Sequence, residues 1–339
     1  MQTPLTNEQK RENMDNNAKL RPLYLAKILY EMTDEERTLS TNQLIKLLKE
    51  KYNIDSYRTT IASDIELLKK YGLDIQSIKS QSIMYNMISR EFDLPELKLL
   101  IDAVASSKFI TDKKSKELVA KLAKLASNSQ ADELKRNIIP EGRIKAGNEN
   151  IYYIVDAVNT AINNKKQISF QYFCYNVRKQ KAAKHDGEVY VFSPYYLIWN
   201  GDYYYAVGYS EKHGGIGSFR LDRIIKQPTL LEVDAVPMPA DFSISRYINT
   251  SFRMYNSRTK TVELICDNCV MDAIIDRFGE SVQTYANDME TFRAVVDVAV
   301  NHVFFGWVFG FEGKVKIKSP DDVKEKYRKM IDAAKNCIE

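Results

Sequence analysis

The spacing of the apolar residues changes along the chain, and that change constrains the fold more tightly than composition does. Up to about residue 71 the spacing is helical. Leu23, Ala26, Ile28, Leu29 and Met32 make one stripe, Leu44, Ile45, Leu47 and Leu48 a second, and Ile61, Ile65 and Leu68 a third. Ser40 stands where the N-cap of the second helix belongs, Tyr52-Asn53-Ile54-Asp55 separates it from a third helix starting near Ser56, and Gly72 ends that one. The period then shortens to that of strands over Leu73 to Ile78 and Ile83 to Ile88, turned at Lys79-Ser80-Gln81-Ser82.

Helix, helix, helix and hairpin within residues 19–90 is the order of a winged helix-turn-helix, preceded by a polar stretch, 1–18, expected to be disordered. The third helix opens with Ser56, Tyr57, Arg58, Thr59, Thr60 and Ser63, hydrogen-bonding groups with one guanidinium among them. The N-terminal residues of such a helix reach base edges in the major groove, where Arg pairs with guanine and Thr meets a thymine methyl. Ser40 and Thr41 at the second helix and Lys79 in the hairpin complete the expected contacts to double-stranded DNA. From Thr38 to Arg90 eight Lys/Arg stand against five acids, a balance of +3. The residues alone also fit a small packing module with a solvated Ser/Thr face, and the hairpin after the third helix favours DNA.

Residues 91–148 read as a helical connector suited to dimerisation: Asp93 and Pro95 start one helix through Leu97, Leu100, Ile101 and Val104, and Leu118, Leu122 and Leu125 stripe a second. Asn128 to Asn148 reads as polar linker. After a helix from Ile151, residues up to 235 carry short strands: Ile168 to Tyr172, Val189 to Phe192, Tyr195 to Trp199, Tyr203 to Tyr209 and Phe219 to Ile224, with Asn200-Gly201 as a hairpin turn. Five short strands suggest a small SH3/Sm-like β-barrel over 149–235, followed by a linker at 236–259. Residues 260–337 run strand, helix, strand, strand, helix, strand, the order of a ferredoxin-like α/β sandwich, and a last helix begins at Ser319-Pro320. The fold class is therefore α+β and multidomain.

Charge and motifs narrow the function. Over 339 residues, 49 Lys/Arg nearly balance 45 Asp/Glu, leaving +4, which excludes a polycation and an acidic tail. Met1 to Leu20 is too polar for a signal peptide, and Ala294 to Phe311 carries Asp297, Asn301 and His302, so no membrane span and a cytoplasmic location are expected. Cys266 and Cys269 form a single C-x-x-C without a second pair, and no metal or cofactor is expected. His185, His213 and His302 are scattered and Gly214 to Gly217 lacks the Lys-Ser/Thr of a phosphate loop, so no catalytic residues are assigned and no enzyme is expected. Tyrosine is over-represented, 21 against 14 Phe and 2 Trp, and seven of the 21 fall between Tyr190 and Tyr209.

The run Ser193-Pro194-Tyr195-Tyr196-Leu197-Ile198-Trp199-Asn200-Gly201-Asp202-Tyr203-Tyr204-Tyr205, with Phe219-Arg220-Leu221-Asp222-Arg223-Ile224 after it, resembles the WYL domain. The Trp-Tyr-Leu position reads Tyr203-Tyr204-Tyr205 here, whereas the Phe-Arg-Leu-Asp-Arg-Ile element matches fully. The flanks are similar too: the N-terminal segment resembles DeoR-type regulators, and Phe278-Gly279, Trp307 and Ser319-Pro320 resemble the C-terminal extension of WYL-domain regulators. The resemblance implies a bacterial transcriptional regulator, a homodimer, whose WYL domain senses a nucleotide or single-stranded nucleic acid through Ser193, Tyr203, Tyr204, Phe219, Arg220 and Arg223. From Lys165 to Lys226 ten Lys/Arg face five acids, +5, which suits an anionic ligand. The same residues also allow a structural reading, with tyrosines filling a barrel and Asp222 clasping Arg220 or Arg223. A second functional class fits as well, a nucleic-acid-binding accessory protein acting on RNA or single strands through the basic barrel.

Overall fold

The computed structural model describes residues 7–136, 145, 148, 150–251, 254 and 259–337. The chain divides into two units, Met1–Ala146 and Gly147–Glu339.

The first unit opens with α1 (Asn7–Met32), β1 (Leu39–Ser40), α2 (Thr41–Tyr52), α3 (Arg58–Tyr71), β2 (Ile75–Lys79) and β3 (Ile83–Met87). One core gathers Leu25, Ile28 and Leu29 of α1 against Leu44 and Leu48 of α2 and Ile61, Ile65 and Leu68 of α3; Leu23 of the expected first stripe is exposed instead, and Leu25 takes its place in the core. The strands pair antiparallel in the order β1-β3-β2. Ser40 and Gln43 form a capping box that fixes the start of α2. Gly72 ends α3 at φ 111°, a conformation strained for any residue with a Cβ. Arg21 joins α1 to α3 through Asp64 at 2.5 Å.

Two sequence expectations need correction here. α1 begins at Asn7, so residues 7–18 are helical, while 1–6 lie outside the described residues. That stretch is rich in Glu, Gln, Lys and Arg, which tolerate a helix but leave no apolar stripe to reveal one. The third helix begins at Arg58 with Tyr57 as its N-cap, so Ser56 precedes it.

The unit continues with α4 (Leu94–Ser106), α5 (Asp112–Ala123) and α6 (Asn128–Arg136). Leu97 and Ile101 pack against Val119, Ala123, Ala126, Ala131 and Leu134. The buried face of α5 is thus Ser115, Val119 and Ala123, while Leu122 and Leu125 of the expected Leu118–Leu122–Leu125 stripe pack against the edge of the same core, half-buried. α6 occupies what reads as polar linker; only Ala131 and Leu134 of it are buried, too few to mark a period. Residues 137–144, 146 and 147 of that expected linker lie outside the described residues.

A buried polar joint ties the end of α1 to the α5–α6 turn. Arg90 donates from Nη2 to the carbonyls of Tyr30 and Thr33, both at 2.7 Å, with its guanidinium 4.5 Å from the Tyr30 ring centre. Asp34 accepts from the Ser127 hydroxyl at 2.6 Å and from Arg37 N–H at 2.9 Å. Burial works to raise the Asp34 pKa, and the Ser127 and Arg37 bonds outweigh it, holding the carboxyl below its ordinary value.

In the second unit come α7 (Ile151–Asn163), β4 (Lys166–Gln171), β5 (Phe173–Tyr175), β6 (Lys181–Ala183), β7 (Val189–Asn200), β8 (Tyr203–Ser210), β9 (Gly215–Arg220) and β10 (Thr229–Asp234). Five of these strands form an antiparallel sheet in the order β10-β4-β7-β8-β9. A bridge between Tyr172 and Ile224, with Ile225 N–H donating to the Gln171 carbonyl at 3.0 Å, brings the far edge back to β4 and closes the sheet on itself. Inside, Phe219 meets Phe170 and Phe192 edge to face, each at 5.1 Å between ring centres.

The strand assignments shift in two places. Val189 to Phe192 and Tyr195 to Trp199 belong to one strand, β7, whose register shifts between Pro194 and Tyr196, so the proline bends the strand without ending it. Phe219 to Ile224 is not a whole strand: β9 stops at Arg220 and Leu221–Arg223 form a 3-10 turn. The fifth strand is instead β10, an edge strand too exposed to show alternation.

The rest of the unit comprises α8 (Ile244–Thr250), β11 (Thr259–Asp267), α9 (Met271–Phe278), β12 (Gln283–Ala286), β13 (Thr291–Ala299), α10 (His302–Phe309), β14 (Val315–Ser319) and α11 (Asp321–Lys335). α8 corrects the expected linker 236–259: Ile244, Tyr247 and Ile248 pack on Ile198, Tyr205 and Val207. Residues 252–253 and 255–258 lie outside the described residues. The antiparallel sheet runs β12-β13-β11-β14, its core built from Val262, Leu264, Cys266, Ile274, Phe304 and Val308.

Candidate nucleic-acid and ligand sites

The polar residues at the start of α2 and α3 divide into structural and exposed groups. Ser40 is engaged in the capping box, and Thr41, buried, donates its hydroxyl to the Ile83 carbonyl at 3.3 Å, tying α2 to the hairpin. Ser56 is half-buried, and among the described residues its hydroxyl oxygen has no partner. Arg58, Thr59 and Ser63 are exposed, Thr60 is half-buried, Lys79 is exposed at the end of β2, and the Tyr57 ring is 77% exposed. Tyr57 supplies no side-chain cap to the first turn of α3, so the N–H groups there are not engaged by their own N-cap. Arg58 donates from Nε to Asn42 Oδ1 at 3.1 Å, which fixes the guanidinium on the surface that α2 and α3 share. Sequence reasoning missed Asn42; the one available signal is its place in the first turn of α2, directly after Ser40 and Thr41.

In the barrel, the expected ligand residues separate in the same way. Ser193 is fully buried and its hydroxyl accepts from Val236 N–H at 3.0 Å; Phe219 is buried in the aromatic interior; Tyr204 lies 5.9 Å from Trp199 between ring centres. Tyr203 and Arg220 do come together, with the guanidinium 3.2 Å from the Tyr203 ring centre. Asp222 accepts from Arg220 Nε at 3.1 Å and Nη2 at 2.7 Å, a bidentate clasp. Burial disfavours the Arg220 charge, but the Asp222 bonds outweigh it and the guanidinium's pKa is raised. Tyr172, whose hydroxyl accepts from Arg220 N–H at 3.1 Å, has its pKa driven up by burial. Arg223 is half-buried on the same turn, and among the described residues it has no salt-bridge partner.

Other features bear less on binding. Cys266 is buried in β11 with its thiol pKa pushed up to about 12 by burial, whereas Cys269 is exposed, so the C-x-x-C pair is split between two environments. Among the described residues no three His, Cys, Asp or Glu cluster as metal ligands, and no helix is long and apolar enough to cross a membrane. A cavity of about 470 Å³ lies between β14 and α11, lined by Val315, Ile317, Tyr327 and Arg328 among others.

Residues 153–229 match the WYL domain. No curated protein matches the chain. Among solved structures it is similar to Proteasome accessory factor B/C (PafBC) of Arthrobacter aurescens, with 18% identity over 91% of this chain and 44% of that one and a TM-score of 0.29. A CRISPR Cas-related protein aligns at 12% identity over 100% of this chain and 89% of that one, with a TM-score of 0.35. The chain thus spans less than half the length of the PafBC chain. The WYL match runs from α7 to the first residue of β10 and includes the Arg220–Asp222 clasp, so residues 153–229 of this chain carry the WYL domain.

Proposed function

We propose that the protein is a dimeric transcriptional regulator that binds a specific duplex DNA sequence through α2, α3 and the β2–β3 hairpin, and that an anionic effector in its WYL domain modulates this binding. One observation carries the reading. The same chain joins a helix–helix–helix–hairpin body, which exposes Asn42, Tyr57, Arg58, Thr59 and Ser63 together, to a WYL domain. The outward residues of α3 carry donors and acceptors suited to base edges, and Lys79 on the hairpin suits a phosphate. The effector is taken to be a nucleotide or an oligonucleotide, met by Arg220, Arg223 and Tyr203.

A competition assay between duplex and single-stranded oligonucleotides across salt concentrations tests the reading. Both ligands release counterions, but a regulator prefers one duplex sequence. Preference for single strands with no duplex selectivity would instead support an accessory protein acting through the barrel.

A further inference from the structure

Arg220 already holds an oxyanion. The Asp222 carboxylate makes two side-by-side bonds to the Nε and Nη2 edge of the guanidinium, at 3.1 and 2.7 Å, the arrangement a phosphate would take on the same fork. The guanidinium also lies against the Tyr203 ring, 3.2 Å from its centre. The pair is largely out of water, with side chains 20% and 12% exposed. The backbone of Asp222 is fixed as well: it sits in the 3-10 turn beside fully buried Leu221, and its carbonyl accepts from Asn148 Nδ2 at 3.3 Å. Arg223, at the end of the turn, has no salt-bridge partner among the described residues.

We infer that the Asp222 carboxylate occupies the anion seat of the effector site as a tethered competitor, which an effector must displace from Arg220 to bind. The inference rests on the effector reading above and adds how that site is gated. A tethered carboxylate competes at high effective concentration, so a lone small anion is excluded. An effector with two or more phosphates succeeds, because a second charge meets Arg223 while the first replaces Asp222. The ligand class is therefore a polyphosphorylated one, such as a short oligonucleotide. Asn148, bonded to the carbonyls of both Asp222 and Ile224, lies where the chain enters this unit.

The test is binding of 5′-phosphorylated tetrathymidylate and of inorganic phosphate to the full-length protein by calorimetry. Asp222→Asn keeps the shape and removes the charge; it should bind the oligonucleotide at least about tenfold more tightly than wild type and should bind inorganic phosphate measurably. Asp222→Ser is the second variant, with thermal melting as the check that each is folded. Equal or weaker binding by both folded variants would overturn the inference, since it would make Asp222 a brace for Arg220. Should Arg220→Ala abolish binding while the Asp222 variants bind no better than wild type, the effector site stands and the competitor does not. Binding indifferent to Arg220→Ala, or absent from every protein, would remove the site itself.

Discussion

Gly208 sits in β8 opposite the bend of β7, and a Cβ there would lie 2.1 Å from the Ser193 carbonyl oxygen and 2.9 Å from Pro194 Cα. Backbone atoms cannot give way as a flexible side chain can, so Gly208→Ala should cost about 3 kcal/mol or more in urea unfolding. Gly306, in α10 with open space at its Cβ, is the control, and Gly306→Ala should stabilise by about 0.5–1 kcal/mol. If α3 reads duplex DNA as proposed, Arg58→Ala should weaken binding to a specific duplex by about 1–3 kcal/mol, read by fluorescence anisotropy. Asn42→Ala should weaken it less, because it frees the guanidinium without removing it. The Arg220–Asp222 pairing was legible as one alternative in the sequence, since two residues in an extended strand and turn bring the groups together. The stacking on Tyr203 and the Asn42–Arg58 bond were not, because each joins separate elements and depends on their register.

At the level of elements, the joint of Arg90, Asp34, Ser127 and Tyr30 holds α1 to the α5–α6 turn. The Asp34 pKa is lowered in the fold, so the stability it contributes is complete above the unfolded value of about 3.9 and is lost as pH falls through the lower folded value. Asp34→Asn should therefore unfold at lower urea at pH 7, by about 1–3 kcal/mol, and lose that part of the acid dependence; circular dichroism at pH 7 and in the acid range reads both. Elements with strong apolar periods, α2, α3, β11 and β13, are evident from sequence. Those missed or displaced share a weak period: α6 buries two residues, β10 is almost wholly exposed, and the start of α1 carries only Met14 and Ala18 among polar residues. Pro194 misled in the opposite direction, since a register shift lets β7 pass through it.

Across the whole chain, the formal +4 averages unlike parts, with +3 over residues 38–90, +5 over 165–226 and a slightly acidic remainder. Several tyrosines of the cluster between Tyr190 and Tyr209 serve the architecture of the sheet, whereas Tyr57, Tyr71, Tyr153 and Tyr175 are exposed. Tyr190 and Tyr205 are buried, Tyr195 donates to the Val236 carbonyl at 2.9 Å, Tyr196 packs beside Phe242, and Tyr203 lies against the Arg220 guanidinium. Seven tyrosines in one stretch marked where the barrel lies; the β8–β9 register sets Tyr205 opposite Arg220, and the guanidinium reaches diagonally to the Tyr203 ring, which no sequence pattern shows. Selection from a randomised duplex pool with the full-length protein shows whether α3 reads a duplex sequence. One sequence motif should be enriched, bound at least about a thousandfold more tightly than unrelated duplex and no longer enriched with Arg58→Ala. A pool that stays random, or a motif enriched equally by Arg58→Ala, would contradict that role of α3.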